Sequence, residues 1–80
     1  MNREEIIDKM TPIVREVFGN AELVVSDELG PETVDGWTSL AFMQLLAGIE
    51  TTFGFKFKIF ELVAVHNMGD LVAAIEKHCG

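Results

Sequence analysis

The residues whose types suit chemistry gather around one turn, Asp35-Gly36-Trp37-Thr38-Ser39-Leu40, which delivers a serine to the first turn of an amphipathic helix. The apolar stripe of that helix, Phe42, Leu45, Leu46, Ile49 and Phe53, is committed to a core, so the Ser39 hydroxyl is expected to face solvent. Serine and threonine are favoured at helix starts because their oxygens accept free backbone N–H groups, and taken alone these residues fit that structural role. A catalytic serine would need a base. His66 and His78 have no cysteine or carboxylate pair at ligand spacing and read as solvated or dipole-satisfying residues near helix ends. Cys79 has no activating base beside it and reads as a frayed-end thiol able to form adventitious dimers. No nucleophile–base pair and no acid pair can be assembled from residues expected to share a cleft, so the sequence does not favour an enzyme.

The elements that must position Ser39 follow from hydrophobic spacing. Ile6, Ile7, Met10, Ile13, Val14, Val17 and Phe18 recur at three and four residues and predict a helix over Arg3–Phe18, closed by Gly19 and Asn20. Glu4, Glu5 and Asp8 complement its dipole, and Pro12, on its polar side, is expected to kink it or break it near Thr11. Between Ala21 and Trp37 the periodicity fails, and a long loop is expected, pegged to the core by Leu23, Val25, Leu29, Val34 and Trp37. The second helix starts at Thr38 or Ser39 and runs to Phe53, where Gly54 stops it. Opposite its buried stripe lies a second, narrower apolar strip of Leu40, Met43 and Ala47, with Ala41, Gln44, Thr51 and Thr52 also on the exposed side.

Phe53, Phe55, Phe57 and Ile59 alternate with polar residues as a half-buried strand would. With no second strand to pair with, the segment reads instead as an extended connector into a short helical turn near Phe60 to Ala64. A last helix is capped by Asn67, with Asp70 three residues on, and buries Met68, Leu71, Val72, Ile75 and Cys79. Met10 and Met68 belong to the core and Met43 to the surface. The expected fold is an all-α bundle over residues 1–80 as one domain: three main helices, one short third helix and a long loop between the first two.

Eighty residues bury only about 60% of the surface of the unfolded chain, which leaves little room for an enzyme cleft. Thirteen acidic against six basic side chains give a formal charge of −7, the wrong sign for nucleic acid or an anionic membrane surface and the right one for basic protein partners. One cysteine permits no internal disulfide, so a reducing cytosol is the expected setting. No apolar run approaches the roughly 18 residues of a membrane span, and the polar-charged start is unlike a signal sequence. A cytoplasmic monomer is expected.

Ser39 followed by Leu40 at the start of the second helix, Trp37 shortly before it, Leu45, Ile49 and Phe53 in the core, Phe53-Gly54 closing that helix and Met68-Gly69-Asp70-Leu71 opening the last one fall in order along nearly the whole chain. In this the chain resembles the acyl carrier protein family, in particular stand-alone carriers similar to D-alanine carrier proteins. The resemblance implies that a phosphopantetheinyl transferase attaches 4'-phosphopantetheine to Ser39. It further implies that an activating ligase and transferring enzymes load and unload an acyl or aminoacyl thioester on the arm. A phosphodiester at Ser39 would sit at a helix N-terminus, where free N–H groups and the dipole favour an anion.

Two departures from the family pattern stand out. Thr38 replaces the acid that usually precedes the serine, keeping the capping role but losing a carboxylate that in the family helps engage the transferase and its metal. The partner-facing surface, formed by Thr38, Leu40, Met43, Ala47, Glu50, Phe60 and Glu61, is also more apolar than is usual, and points to a dedicated partner. The alternative is an unmodified, carrier-like helical adaptor acting through protein contacts only.

Overall fold

The computed structural model describes residues 1–79, and its elements are four helices: α1 Arg3–Phe18, α2 Ser39–Phe53, α3 Ile59–Val63 and α4 Met68–Cys79. No strand occurs among the described residues. The Phe53–Ile59 alternation is thus extended connector, with Phe55 and Phe57 half-buried against the core. The short helix begins at Ile59, one residue before the position expected from sequence.

Helix α1 opens with a reciprocal cap: the Asn2 side chain accepts the Glu5 N–H while the Glu5 carboxylate accepts the Asn2 N–H. It buries Ile6, Met10 and Val14 completely, a row at steps of four that faces the other helices. Pro12 does not break it into two, since α1 is one continuous helix through this position. Pro12 is exposed and flanked by that fully buried row, so packing on the opposite face holds the turn around its missing N–H. Both α1 and α2 end in left-handed glycines, Gly19 and Gly54.

Helix α2 turns the row Ala41, Leu45 and Ile49 inward, leaving Phe42, Leu46 and Phe53 half-buried on the flank. Ala41, expected on the exposed side, is instead only 7% exposed. The buried stripe is centred one position earlier than Phe42 suggested, because α1 and α2 come together through a small-residue contact. A Cβ at Gly48 would lie 2.7 Å from the Ile13 side chain, closer than carbon atoms pack.

The long loop is bound to the bundle as expected. Val25 and Val34 are buried, and Leu23, Leu29 and Trp37 pack against the core cluster. Backbone bonds then stitch it to the start of α4: Met68 N–H donates to Leu29 O at 2.7 Å and Gly69 N–H to Asp27 O at 3.1 Å. Only glycine fits at position 69, where a Cβ would meet the Asp27 side chain at 2.9 Å. Arg3 joins the same corner, pairing with Asp27 of the loop and with Glu76 of α4.

Helix α4 contributes Met68, Leu71, Val72 and Ile75, all essentially inaccessible. Its cap is shared: Asn67 Oδ1 accepts the Asp70 N–H at 2.8 Å, and the Asp70 carboxylate accepts the His66 N–H at 2.9 Å. Cys79 is not a free frayed end but packs against the core cluster at the close of α4.

The orientation of α2 is testable with two leucines on opposite faces. Leu45→Ala, at a fully buried position, should lower the unfolding free energy by about 2–5 kcal/mol. Leu40→Ala, at a position 66% exposed, should change it by less than about 0.5 kcal/mol in the same urea titration. Similar losses at both positions would contradict this orientation.

Candidate functional site

The head of α2 divides its work between two adjacent hydroxyls. Thr38 is the N-cap, in extended conformation, and its Oγ1 accepts the Ala41 N–H at 3.1 Å. Its own N–H donates to Gly36 O at 2.9 Å and its carbonyl accepts the Phe42 N–H at 2.9 Å, which sets the angle at which the loop enters the helix. Ser39, the first helical residue, is exposed, and its hydroxyl makes no hydrogen bond among the described residues. The capping role that could have explained a serine here belongs to its neighbour, so Ser39 is left free for other chemistry.

Trp37 positions this turn from below. Its ring stacks on Phe18 of α1 at a centroid distance of 5.4 Å and on Phe42 of α2 at 6.0 Å. The loop residue two before the serine is thereby held to both long helices. Ser39 opens onto a cavity of about 320 Å³ with apolar walls from Pro31, Trp37, Phe42 and Val65 and polar members Thr38 and His66. No carboxylate and no lysine or arginine lines it.

The other residues expected to face partners fall into two groups. Leu40 and Met43 are each 66% exposed and Phe60 71%, while Thr38 and Ala47 are also exposed. Val63, expected from sequence to share this apolar face with Phe60 and Ala64, is 73% exposed, and Ile59, not singled out from sequence, is 83% exposed. The two acids have internal partners instead. Glu50 accepts the Phe57 N–H at 2.8 Å and so anchors the connector to α2. Glu61 accepts the Lys58 N–H at 2.8 Å, and both its oxygens lie 2.9 Å from His78 Nε2.

His78, read from sequence as a solvated or dipole-satisfying residue, therefore links α3 to α4. Its ring also stacks on Phe55, 4.3 Å away and nearly parallel at 7°, and meets the edge of Phe57. The Lys58 backbone N–H, followed by the His78 ring, holds the Glu61 carboxyl below its ordinary value of 4.5. Among the described residues no group of three or more His, Cys, Asp or Glu could hold a metal ion. No helix there is long and apolar enough to cross a membrane.

Comparison with known proteins gives this geometry its context. The acyl carrier protein of Thermotoga maritima is 34% identical over 79 residues, which is 99% of this chain and 98% of that one. The chain belongs to the acyl carrier protein family. A solution NMR structure of a holo acyl carrier protein from Geobacter metallireducens superposes with a TM-score of 0.83 at 35% identity, covering 90% of this chain and 83% of that one. The four-helix architecture of the family is thus present here, while no protein-family model matches the sequence.

The bonded state of Glu61 gives a pH-dependent prediction. A carboxyl held below its unfolded value stabilises the fold above that value and loses the contribution as pH falls through the folded one. Glu61→Gln should therefore unfold at lower urea than the parent at pH 7, and the difference should shrink steadily once the pH drops below about 4.5. A difference independent of pH would show that the carboxylate charge is not what the site uses.

Proposed function

We propose that this chain is a carrier protein in which Ser39 is the attachment point for 4'-phosphopantetheine, presenting an acyl or aminoacyl group as a thioester. The observation that carries the reading is the uncommitted, exposed Ser39 hydroxyl beside a fully employed Thr38 cap. Family membership and a holo relative of the same architecture support it.

The residues present fit such a group. The Ala41 N–H is taken by Thr38 Oγ1, but the Ser39 and Leu40 N–H groups at the start of α2 have no acceptor among the described residues, and no acid stands in the first turn to compete for them. No carboxylate lines the adjoining cavity to repel a phosphodiester. When attached, the arm supplies a terminal thiol that holds the cargo. Attachment requires Ser39 Oγ to form a bond to the phosphorus of the pantetheine phosphate of coenzyme A as the bond to the adenosine bisphosphate breaks. The hydroxyl proton must go to a base of the transferase, since no side chain here bonds to that hydroxyl.

Incubation of the protein with coenzyme A and the transferase of its own genome, or a broad-specificity one, should add one phosphopantetheine by intact mass, and Ser39→Ala should abolish it. The absence of an adduct with either enzyme would favour the alternative, an unmodified adaptor acting through its apolar face.

That face defines the partners. Leu40 and Met43 on α2 and Ile59, Phe60 and Val63 on α3 are exposed large apolar side chains. The acids Glu50 and Glu61 are held by backbone N–H groups of the connector and of α3's first turn. Recognition then depends more on apolar burial than on carboxylates reaching for basic residues, which suits a dedicated ligase and transferring enzymes in one biosynthetic pathway. Met43→Glu and Phe60→Glu lie on the surface and should leave the unfolding midpoint nearly unchanged. Each should slow loading by the cognate ligase by roughly tenfold, the equivalent of about 1.4 kcal/mol of lost contact. Unchanged loading in both variants would remove α2 and α3 as the docking face.

A further inference from the structure

His66 stands in the turn between α3 and α4, its main chain bonded to α4 and lying close against the loop at Gly30. Its N–H donates to the Asp70 carboxylate at 2.9 Å, and its carbonyl lies 3.4 Å from where a Cβ on Gly30 would be. Of the next two residues, Met68 is tied to the loop by its N–H bond to Leu29 O and Asn67 caps α4 by accepting the Asp70 N–H. The side chain, by contrast, is exposed and has no hydrogen-bond partner among the described residues. It lines the cavity onto which Ser39 opens, and it is the basic group there. An imidazole anchored by its backbone and left free at its ring, beside the head of α2, is placed to meet an anion on Ser39.

We propose that the His66 imidazole is a positioning residue for the phosphodiester on Ser39, pairing with it when protonated and so making the set of the arm at the cavity mouth pH-dependent. The proposal rests on the reading that Ser39 carries the arm. Two features favour the pair. Pro31, Trp37, Phe42 and Val65 wall the cavity with apolar surface, so few other polar side chains compete there for either partner. The chain is otherwise strongly acidic, so few cations are available to the phosphodiester.

The acids that face His66 are those of the elements packed around it. Glu28 and Glu32, from the loop, line a neighbouring cavity that His66 and Pro31 also border, and Asp70 of α4 holds its backbone N–H. All three are present with and without the arm. A comparison of apo and holo protein therefore isolates the phosphodiester. Imidazole changes charge across roughly pH 5–8, whereas a phosphodiester keeps its single negative charge throughout.

The test is NMR on holo protein whose adduct is first confirmed by intact mass. The ³¹P resonance of the phosphodiester should move with pH between about 5 and 8. In His66→Gln that movement should be lost; in His66→Lys the resonance should hold steady over the same range near the parent's low-pH position. Ring resonances of His66 should shift between apo and holo protein, while those of His78, committed to Glu61, should not. A ³¹P titration that survives in His66→Gln, or identical His66 ring resonances in apo and holo protein, overturns the inference while leaving the carrier reading intact. Absence of the adduct overturns both.

Discussion

The stretch from Gly19 to Thr38 must be held still for Ser39 to have a place at all. Ordering backbone costs on the order of 1–2 kcal/mol per residue, and this stretch has no regular hydrogen-bond ladder to offset it. What offsets it is a set of pegs: Val25 and Val34 buried in the bundle, and Trp37 stacked between Phe18 and Phe42. The Trp37 stack matters most, because it joins α1, the loop and α2 within two residues of the serine. Remove it and the Thr38 cap and its backbone bonds would still set the local turn, but that turn would lose its aromatic hold on α1.

The opposite end of the molecule is held differently. Helix α3 has no buried residue, so its position depends on polar anchors: Glu50 to the Phe57 N–H, Glu61 to the Lys58 N–H, and Glu61 to His78. Segments held by exposed polar contacts open at lower free energy than segments held by a core. The division is useful to a carrier: α1, α2 and α4 give a rigid frame, while α3 presents Ile59, Phe60 and Val63 on a short element that can adjust to a partner. The acids do not face outward as recognition groups; they hold the platform from which apolar groups project.

Much of this was legible in the sequence, for reasons that also define what was not. The three-and-four spacing of Ile6, Met10 and Val14, ended by Gly19, fully specifies α1, and the same logic recovers α2 and α4. The rotation of α2 was misjudged by one position at Ala41, because an alanine carries little hydrophobic signal and the close approach at Gly48 needs both helices to be seen. The stitches from Leu29 and Asp27 to Met68 and Gly69 are backbone bonds, which leave no side-chain signature beyond Gly69 itself. The Glu61–His78 link joins residues 17 apart through a connector whose path no local pattern gives. A ring stacked on Phe55 is, in sequence, just a histidine near a helix end.

The replacement of the family's usual acid by Thr38 can be placed on the same physical footing. For folding the exchange is nearly neutral, because Thr38 Oγ1 accepts the Ala41 N–H as a carboxylate oxygen would. For electrostatics it is not neutral. Helices α1, α3 and α4 each carry an acid in the first turn, Glu4 and Glu5, Glu61, and Asp70, whereas α2 carries none. The positive end of the α2 dipole is therefore uncompensated by its own side chains, an imbalance on the order of 0.3–1 kcal/mol that an anion at Ser39 would relieve. If Ser39 carries the arm as proposed, the same residue that removes a carboxylate from the transferase's view also removes a repulsion from the product. On that reading, threonine at this position would leave the attachment at least as comfortable as an acid would, and would concentrate any cost of the exchange in the encounter with the transferase.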